Sequence, residues 1–398
     1  MRISTATAYD ITVDQLAKRQ QTLSEAQLRL TSGKRVAKAS DDPINAARAE
    51  RALDTVSRAA ASQRSVEASR SAMTLTESAM GDAGELLQQA REALVAGGDA
   101  SYDDKQRSVL SDQIRALRNQ LLAVANRSDG NGGLLFGGQG SSAPPFIDGP
   151  GGVTFAGTRG ASGADRNEDL PMTADGAATW LSAPTGNGVF ETRSLVSTGS
   201  AWIESGSVTD PSAITGATYS IQFSGVAPGT TYSVLKDGNP TALTNLAFSA
   251  GQSIQVDGMA VTVNGQPAAG DTFELAPSTP SLSVFDVLDK AAIDLAAPLQ
   301  SGSQKAQSTA DNLRNIDAVL GRMQLVRATA GEALNGADSV ESHLGTSTLN
   351  AKAERSAAED LGMTQGISDF QNQQTGYEAA LKAYASVQRL SLFDFIKT

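Results

Sequence analysis

The sequence predicts an α+β multidomain protein: a long α-helical coiled-coil-like rod formed by N- and C-terminal arms, with an inserted all-β domain. Three observations predict it. Apolar residues recur every seven positions in both arms, glycine and proline concentrate between the arms, and short stretches of alternating polarity fill the middle. Of the chain's 398 residues, positions 130–280 hold 25 of the 38 Gly and 11 of the 13 Pro but only 4 of the 32 Lys+Arg. That middle carries 12 acidic residues, a balance of −8, whereas the outer arms carry 28 basic against 31 acidic residues. The arms therefore read as mixed-charge helices and the middle as an acidic insert.

In the N-terminal arm, Leu16, Leu23 and Leu30 repeat at seven until Ser32-Gly33-Lys34-Arg35, where Gly33 can cap a helix. A second helix starts at Ser40-Asp41-Asp42-Pro43, with Asp42 as N-cap and Pro43 at the first helical position, where its missing N–H costs nothing. Val66, Met73, Met80, Leu87 and Leu94 then form an unbroken heptad series, preceded by Leu53, Val56 and Ala60. A helix over 43–96 would be roughly 80 Å long at 1.5 Å per residue. Gly97-Gly98-Asp99 stops it, and Leu110, Ile114, Leu117, Leu121 and Val124 mark a further helix.

The C-terminal arm repeats the pattern. Ile316, Met323, Ala330, Ala337 and Leu344 share one row, and Leu313, Leu320 and Leu334 the next, which Arg327 interrupts. A last helix sets Phe370, Tyr377 and Tyr384 in heptad register, with Ile367 and Leu381 beside them, and ends in Leu390, Leu392, Phe393, Phe395 and Ile396. Between the arms, 218–223, 231–234 and 253–256 alternate as strands. Asp257-Gly258 and Asn264-Gly265 stand at hairpin-turn positions, the former returning through 260–263.

Composition leaves little room for catalysis. With no cysteine, thiolate metal sites, disulfides and cysteine nucleophiles are excluded. The single histidine, His343, sits at a helical position with no partner motif. The Gly-rich stretch 130–140 lacks the Lys-Ser/Thr of a phosphate loop and reads as a turn or hairpin, and Asp129-Gly130-Asn131 lacks the acidic ladder of a calcium loop. Asp41-Asp42 reads as capping rather than as a cation site. No cofactor and no metal are expected. A formal charge of −11 argues against nucleic acid, and no apolar run reaches the ~20 residues of a membrane span, so no membrane partner is expected either. A glycan-binding or hydrolytic module would have to use Trp180 and Trp202 as stacking platforms and the scattered Asp210, Asp237, Asp257 and Asp271; no two of these acids stand at a telling spacing.

The heptad rows of 43–127 and 281–345 can close on each other as an internal bundle. Those of 1–32 and 360–398 are too sparse to bury themselves and call for neighbouring subunits. The expected assembly interface is Leu16, Leu23, Leu30, Ile367, Phe370, Tyr377, Leu381, Tyr384, Leu392, Phe393, Phe395 and Ile396.

Specific motifs support that expectation. Met1-Arg2-Ile3-Ser4-Thr5, Thr31-Ser32-Gly33-Lys34-Arg35-Val36 with Ser40-Asp41-Asp42-Pro43, Asp129-Gly130-Asn131-Gly132 leading to Phe136-Gly137-Gly138 and Ala143-Pro144-Pro145-Phe146, and the closing Leu390-Ser391-Leu392-Phe393-Asp394-Phe395 resemble the bacterial flagellin family on its hook-associated branch. Leu134 and Leu135 stand where that pattern often has an aromatic, and the insert is longer than in compact members. The resemblance implies a structural flagellar component joining hook to filament, with a hook-side junction protein, flagellin-side filament subunits and further copies of itself in a ring as partners. It also implies a cytoplasmic export chaperone at the C-terminal helix and type III export without a cleaved signal peptide. The competing member of the family is the filament flagellin. The expected division is 1–42 with 346–398 as terminal assembly helices, 43–145 with 281–345 as the helical rod with a hairpin near 130–145, and 146–280 as the outer β domain.

Overall fold

The computed structural model describes residues 5–99, 101–130, 132–141, 143–164 and 170–396, with side chains described from Asp10 to Ser386 within those ranges. Helices α1 (Thr5–Ser32), α2 (Pro43–Gly97) and α3 (Asp104–Ala125) precede the strands, with a short α4 (Gly176–Trp180) among them. Helices α5 (Val284–Ala296), α6 (Gly302–Glu359) and α7 (Met363–Ile396) follow. The predicted fold class is the one observed: helical N- and C-terminal arms around a central β domain. The chain forms two compact units, one of residues 1–64 with 339–398 and one of residues 65–338.

In the second unit the heptad row is the core. Val66, Met73, Met80, Leu87 and Leu94 of α2 are buried, as are Ile316, Met323, Ala330 and Ala337 of α6. Ion pairs flank the seam: Arg70 with Asp338, Glu77 with Arg327 at 2.6 Å, and Arg91 with Asp317 at 2.7 Å. Partner numbers rise on one helix as they fall on the other, so α2 and α6 run antiparallel.

Helix α3 carries a capping box, Asp103 accepting from the Gln106 N–H at 2.8 Å while Gln106 returns a bond to the Asp103 N–H at 3.0 Å. Its buried stripe Ile114, Leu117 and Leu121 joins α5 in the same core. The Gly-rich stretch is a turn: the Asp129 N–H donates to the Gly133 carbonyl at 3.0 Å, and the Gly133 N–H to the Asp129 carboxylate at 2.8 Å. Gly138 has φ +69° and runs so close to Thr158 that an added Cβ would lie 1.7 Å from its carbonyl oxygen.

Residues 146–184 differ from the sequence reading in their core. Phe146, Val153, Trp180 and Ala183 are buried with the helices rather than with the β domain. Trp180 stacks on Phe285 at 5.9 Å and meets Phe136 edge-on at 5.4 Å. A fully buried indole cannot serve as a sugar platform, and Trp202 is half-buried within a strand.

The β sheets with their own core begin at Phe190. One sheet orders Leu246–Ala247, Thr231–Lys236, Tyr219–Ser224, Thr272–Pro277 and Phe190–Val196, with Asn239–Pro240 pairing the second of these. The other orders Ser253–Val256, Met259–Asn264 and Trp202–Ile203, with Ser207–Val208 pairing the middle strand. Inward residues of both, including Ile221, Phe223, Val261, Val263 and Phe273, form one cluster. Asp257-Gly258, at φ +40° and +78°, makes the predicted hairpin between Ser253–Val256 and Met259–Asn264. Asn264-Gly265 makes none: there the chain leaves one sheet for the other, because Thr272–Pro277 pairs with Tyr219–Ser224 and Phe190–Val196. The two ends of this domain meet where Ala183–Pro184 pairs with Pro280–Leu282.

Truncating two apolar residues of α2 separates core from surface. Leu87→Ala should cost about 2–5 kcal/mol in urea denaturation, whereas Val95→Ala, half-exposed on the same helix, should stay within about 1 kcal/mol.

Candidate assembly surface on the terminal helices

The first unit contains α1, the start of α2, the end of α6 and α7. Below Val66 the α2 seam continues in the same seven-residue register as Ala59 and Ala52, both buried, while Leu53 and Ala60 are exposed and Val56 is half-buried. The expected Leu53 row is thus displaced by one position. Small alanines let neighbouring backbones approach, and the larger Leu53 is left outside. On α6 the row continues through half-buried Leu344 to buried Ala351 and Ala358. His343 is exposed on this helix.

Helices α1 and α7 pack side by side. Thr22 Oγ1 donates to Gln373 Oε1 at 3.4 Å, and Gly376 passes so close to the Arg19 guanidinium that an added Cβ would lie 2.7 Å from it. The Leu361 N–H donates to the Gly33 carbonyl at 2.8 Å. These pairs run in opposite numerical senses, so the helices are antiparallel. Leu16, Leu23 and Leu30 on α1 and Phe370, Tyr377 and Tyr384 on α7 are all half-buried. Ile367 and Leu381 are exposed, together with Ile11, Val13, Leu28 and Met363. The side chains of Leu392, Phe393, Phe395 and Ile396 lie outside the described residues, as do Met1, Arg2, Ile3, Ser4 and Asn131.

No α1 side chain from Asp10 to Ser32 is fully buried, and on α7 from Met363 to Ser386 only Gly366 is. Leu28 keeps 55% of its surface exposed. Helix pairs in water draw their stability from buried apolar faces. This pair closes half of its seam and leaves a second apolar set facing outward.

A clasp holds the linkers at one end of the pair. Gly33 ends α1 at φ +69°, a conformation that L side chains rarely adopt. The Arg35 and Val36 N–H groups then donate to the Glu359 carbonyl at 2.7 and 3.3 Å, and the Arg35 guanidinium donates to the Ala358 carbonyl at 2.8 Å. These contacts satisfy carbonyls that the C-terminus of α6 would otherwise leave orphaned. Lys34 pairs with the Glu359 carboxylate at 3.3 Å, and Arg35 with Asp42 at 3.2 Å. Asp42 caps α2 as predicted, accepting from the Asn45 N–H at 3.1 Å and its side-chain amide at 2.5 Å. The Asn45 backbone and side-chain hydrogen bonds, aided by Arg35, lower the Asp42 carboxyl to about 2. Asp41 closes the loop by accepting from the Ala37 and Lys38 N–H groups, and the Lys38 bond is the main reason its carboxyl also lies low. Sequence reasoning found Gly33, Asp42 and Pro43 because capping is local. It missed Ala358 and Glu359, which act through carbonyls that no side-chain pattern advertises.

The acids weighed for a hydrolytic module are otherwise engaged. Asp257 accepts from the Tyr219 hydroxyl at 2.6 Å and pairs with Lys236 at 2.7 Å. Burial would raise the Asp271 carboxyl, but donors from Thr198, Ala268 and Gly199 outweigh it and hold it low. Asp210 caps Ser212, and Asp237 accepts from the Thr218 N–H.

Residues 3–141 match the family described as the bacterial flagellin N-terminal helical region, and residues 195–277 match the flagellar hook-associated protein 1 D2-like domain. Flagellar hook-associated protein 3 of Escherichia coli (strain K12) is 24% identical over 409 residues, covering 100% of both chains. Along its whole length the chain is similar to flagellar hook-associated protein 3. Among solved structures, hook-associated protein-3 from Legionella pneumophila superposes with a TM-score of 0.70 at 26% identity, covering 76% of this chain and 97% of that one. FlgL from Xanthomonas campestris superposes with a TM-score of 0.67 at 25% identity, covering 77% and 99%. The flagellin match spans the Gly33–Pro43 clasp, which ties α1 and α2 to the end of α6.

The clasp gives a pH signature. Because the folded-state value of Asp42 lies below the ordinary 3.8, its contribution is present above about pH 4 and is lost as the pH falls towards 2. The Asn45 amide resonance should titrate with a midpoint near 2; a midpoint near 4 would remove Asp42 from the clasp.

Proposed function

We propose that this chain is a structural junction subunit of the bacterial flagellum, joining hook to flagellin filament through its paired terminal helices. The observation that carries this reading is the α1–α7 pair, half-closed along Leu16, Leu23, Leu30, Phe370, Tyr377 and Tyr384, with Leu28, Ile367 and Leu381 facing outward. Such a surface is completed by other subunits. The solved Legionella relative described as a flagellar junction protein points the same way.

The partners follow from that role: a hook-side junction protein on one side, filament subunits on the other, and copies of the same chain in a ring. The outward residues and the C-terminal residues Leu392, Phe393, Phe395 and Ile396 form the assembly contacts. Before export, the same C-terminal helix is the segment a cytoplasmic chaperone covers, and the chain leaves through the flagellar export apparatus without a cleaved signal. A structural rather than an enzymatic role fits this reading, in which Asp257 and Asp271 are engaged in bonds within the β domain. The terminal assembly helices comprise 1–42 with 346–398, the helical rod 43–145 with 281–345, and the outer domain 146–280, of which 146–184 shares the core of the rod. Catalysis and cofactors have no part in this reading.

Two measurements test it. Purified protein mixed with hook polymer should cosediment and stop, then support flagellin addition; long filaments from the protein alone would make it a filament flagellin instead. Leu28→Glu and Ile367→Glu should leave the circular dichroism of the monomer unchanged and reduce hook cosedimentation at least tenfold. Undiminished joining by both variants would move the interface off this face.

A further inference from the structure

A cleft of about 850 Å³ opens within the second unit where the base of the β domain meets α6. Arg91, Arg314 and Arg322 line it together with apolar Pro184, Leu313 and Leu325. Two of the arginines are neutralised. Arg91 pairs with Asp317 at 2.7 Å; Arg314 pairs with Asp311 at 2.8 Å and donates to Thr192 Oγ1 at 2.8 Å. The third is different. Arg322 donates its Nε–H to the Ala178 carbonyl at 2.9 Å, and among the described residues it has no carboxylate partner. It is half-buried and also borders a second cleft of about 230 Å³. The acid in that smaller cleft, Asp175, is occupied by the Gly160 and Ala178 N–H groups at 2.9 and 3.0 Å. Beside Arg322, Leu325 keeps 57% of its surface exposed.

The bond to Ala178 fixes the guanidinium and leaves its terminal N–H groups available. A planar donor fork matches a carboxylate, and partial desolvation strengthens the pairing. The exposed leucine next to it adds an apolar subsite beside an arginine, a residue type enriched at interface anchors. A phosphate polymer is a poorer match, because Arg91 and Arg314 are already paired and a run of phosphates would meet a single free guanidinium.

We propose that this cleft is a docking site for an acidic segment of a partner protein, with Arg322 taking a carboxylate and Leu325 the apolar side chain next to it. Charge complementarity carries the choice of occupant: among the described residues, the charge in the cleft without an opposite partner is positive. The proposal does not depend on the junction role, since its test uses a peptide rather than a flagellar partner.

The test is fluorescence polarisation of the full chain with a fluorescein-labelled Leu-Glu-Phe-Glu peptide, set against the same peptide with both glutamates replaced by glutamine. The acidic peptide should bind at least tenfold more tightly, and Arg322→Met should remove that preference. Arg322→Lys should keep part of it. Leu325→Ser should weaken both peptides. Equal binding of the two peptides, absence of binding by either, or an unchanged preference in Arg322→Met would overturn the proposal. So would succinate competing as effectively as the peptide, which would make the site one for small anions. Should Arg322→Met lose its helical circular dichroism, the comparison of the two peptides on the unmodified chain, together with Arg322→Lys, still decides the matter.

Discussion

The structure of the second unit depends on keeping two antiparallel helices in one heptad register. Met80, Leu87 and Leu94 of α2 and Ile316 and Met323 of α6 share a core. Every other element there is placed relative to it. Helices α3 and α5 cover this core, and Phe136, Phe146, Trp180 and Phe285 extend it as an aromatic cluster. The β domain is tied to α6 by Gln307, which exchanges hydrogen bonds with the Ile203 backbone, and by Arg314, which donates to Thr192. A register slip of one residue would rotate the helix by about 100° and carry the buried row out of the seam.

The terminal unit is built on the opposite economy. Its α2 and α6 segments bury alanines, which bring backbones close but remove little apolar area from water. Helices α1 and α7 half-bury their best residues. What the pair lacks in packing it recovers in directed bonds at the clasp, where the Gly33–Val36 linker fills the open carbonyls of α6. An element with a fixed base and an incompletely buried face is suited to packing that only assembly completes.

Much of this was legible because its causes are local or periodic. The seven-residue rows marked α2 and α6, Pro43 and Asp42 marked the start of α2, and Asp257-Gly258 marked a hairpin. Where reading failed, a distant partner decided. Leu53 has the bulk of a core residue, yet it is exposed and Ala52 and Ala59 are the buried ones. Asn264-Gly265 has hairpin chemistry, yet the strand it would need belongs to the other sheet. Trp180 lies in the Gly/Pro-rich region that reads as insert, yet it stacks on Phe285 from the far side of the sequence.

The sequence by itself determined where helices start, stop and present an apolar row, since capping, period and φ preference act within a few residues. It also determined that the chain offers one histidine, no cysteine and an acidic middle. Only the tertiary structure decided which faces are covered and which stay open. Half-burial of Tyr377, exposure of Leu28, the carbonyls that Arg35 fills and the lack of a carboxylate opposite Arg322 among the described residues all depend on what another part of the chain places opposite them. Burial and charge compensation are properties of pairs of distant segments, and no single stretch of sequence contains both members.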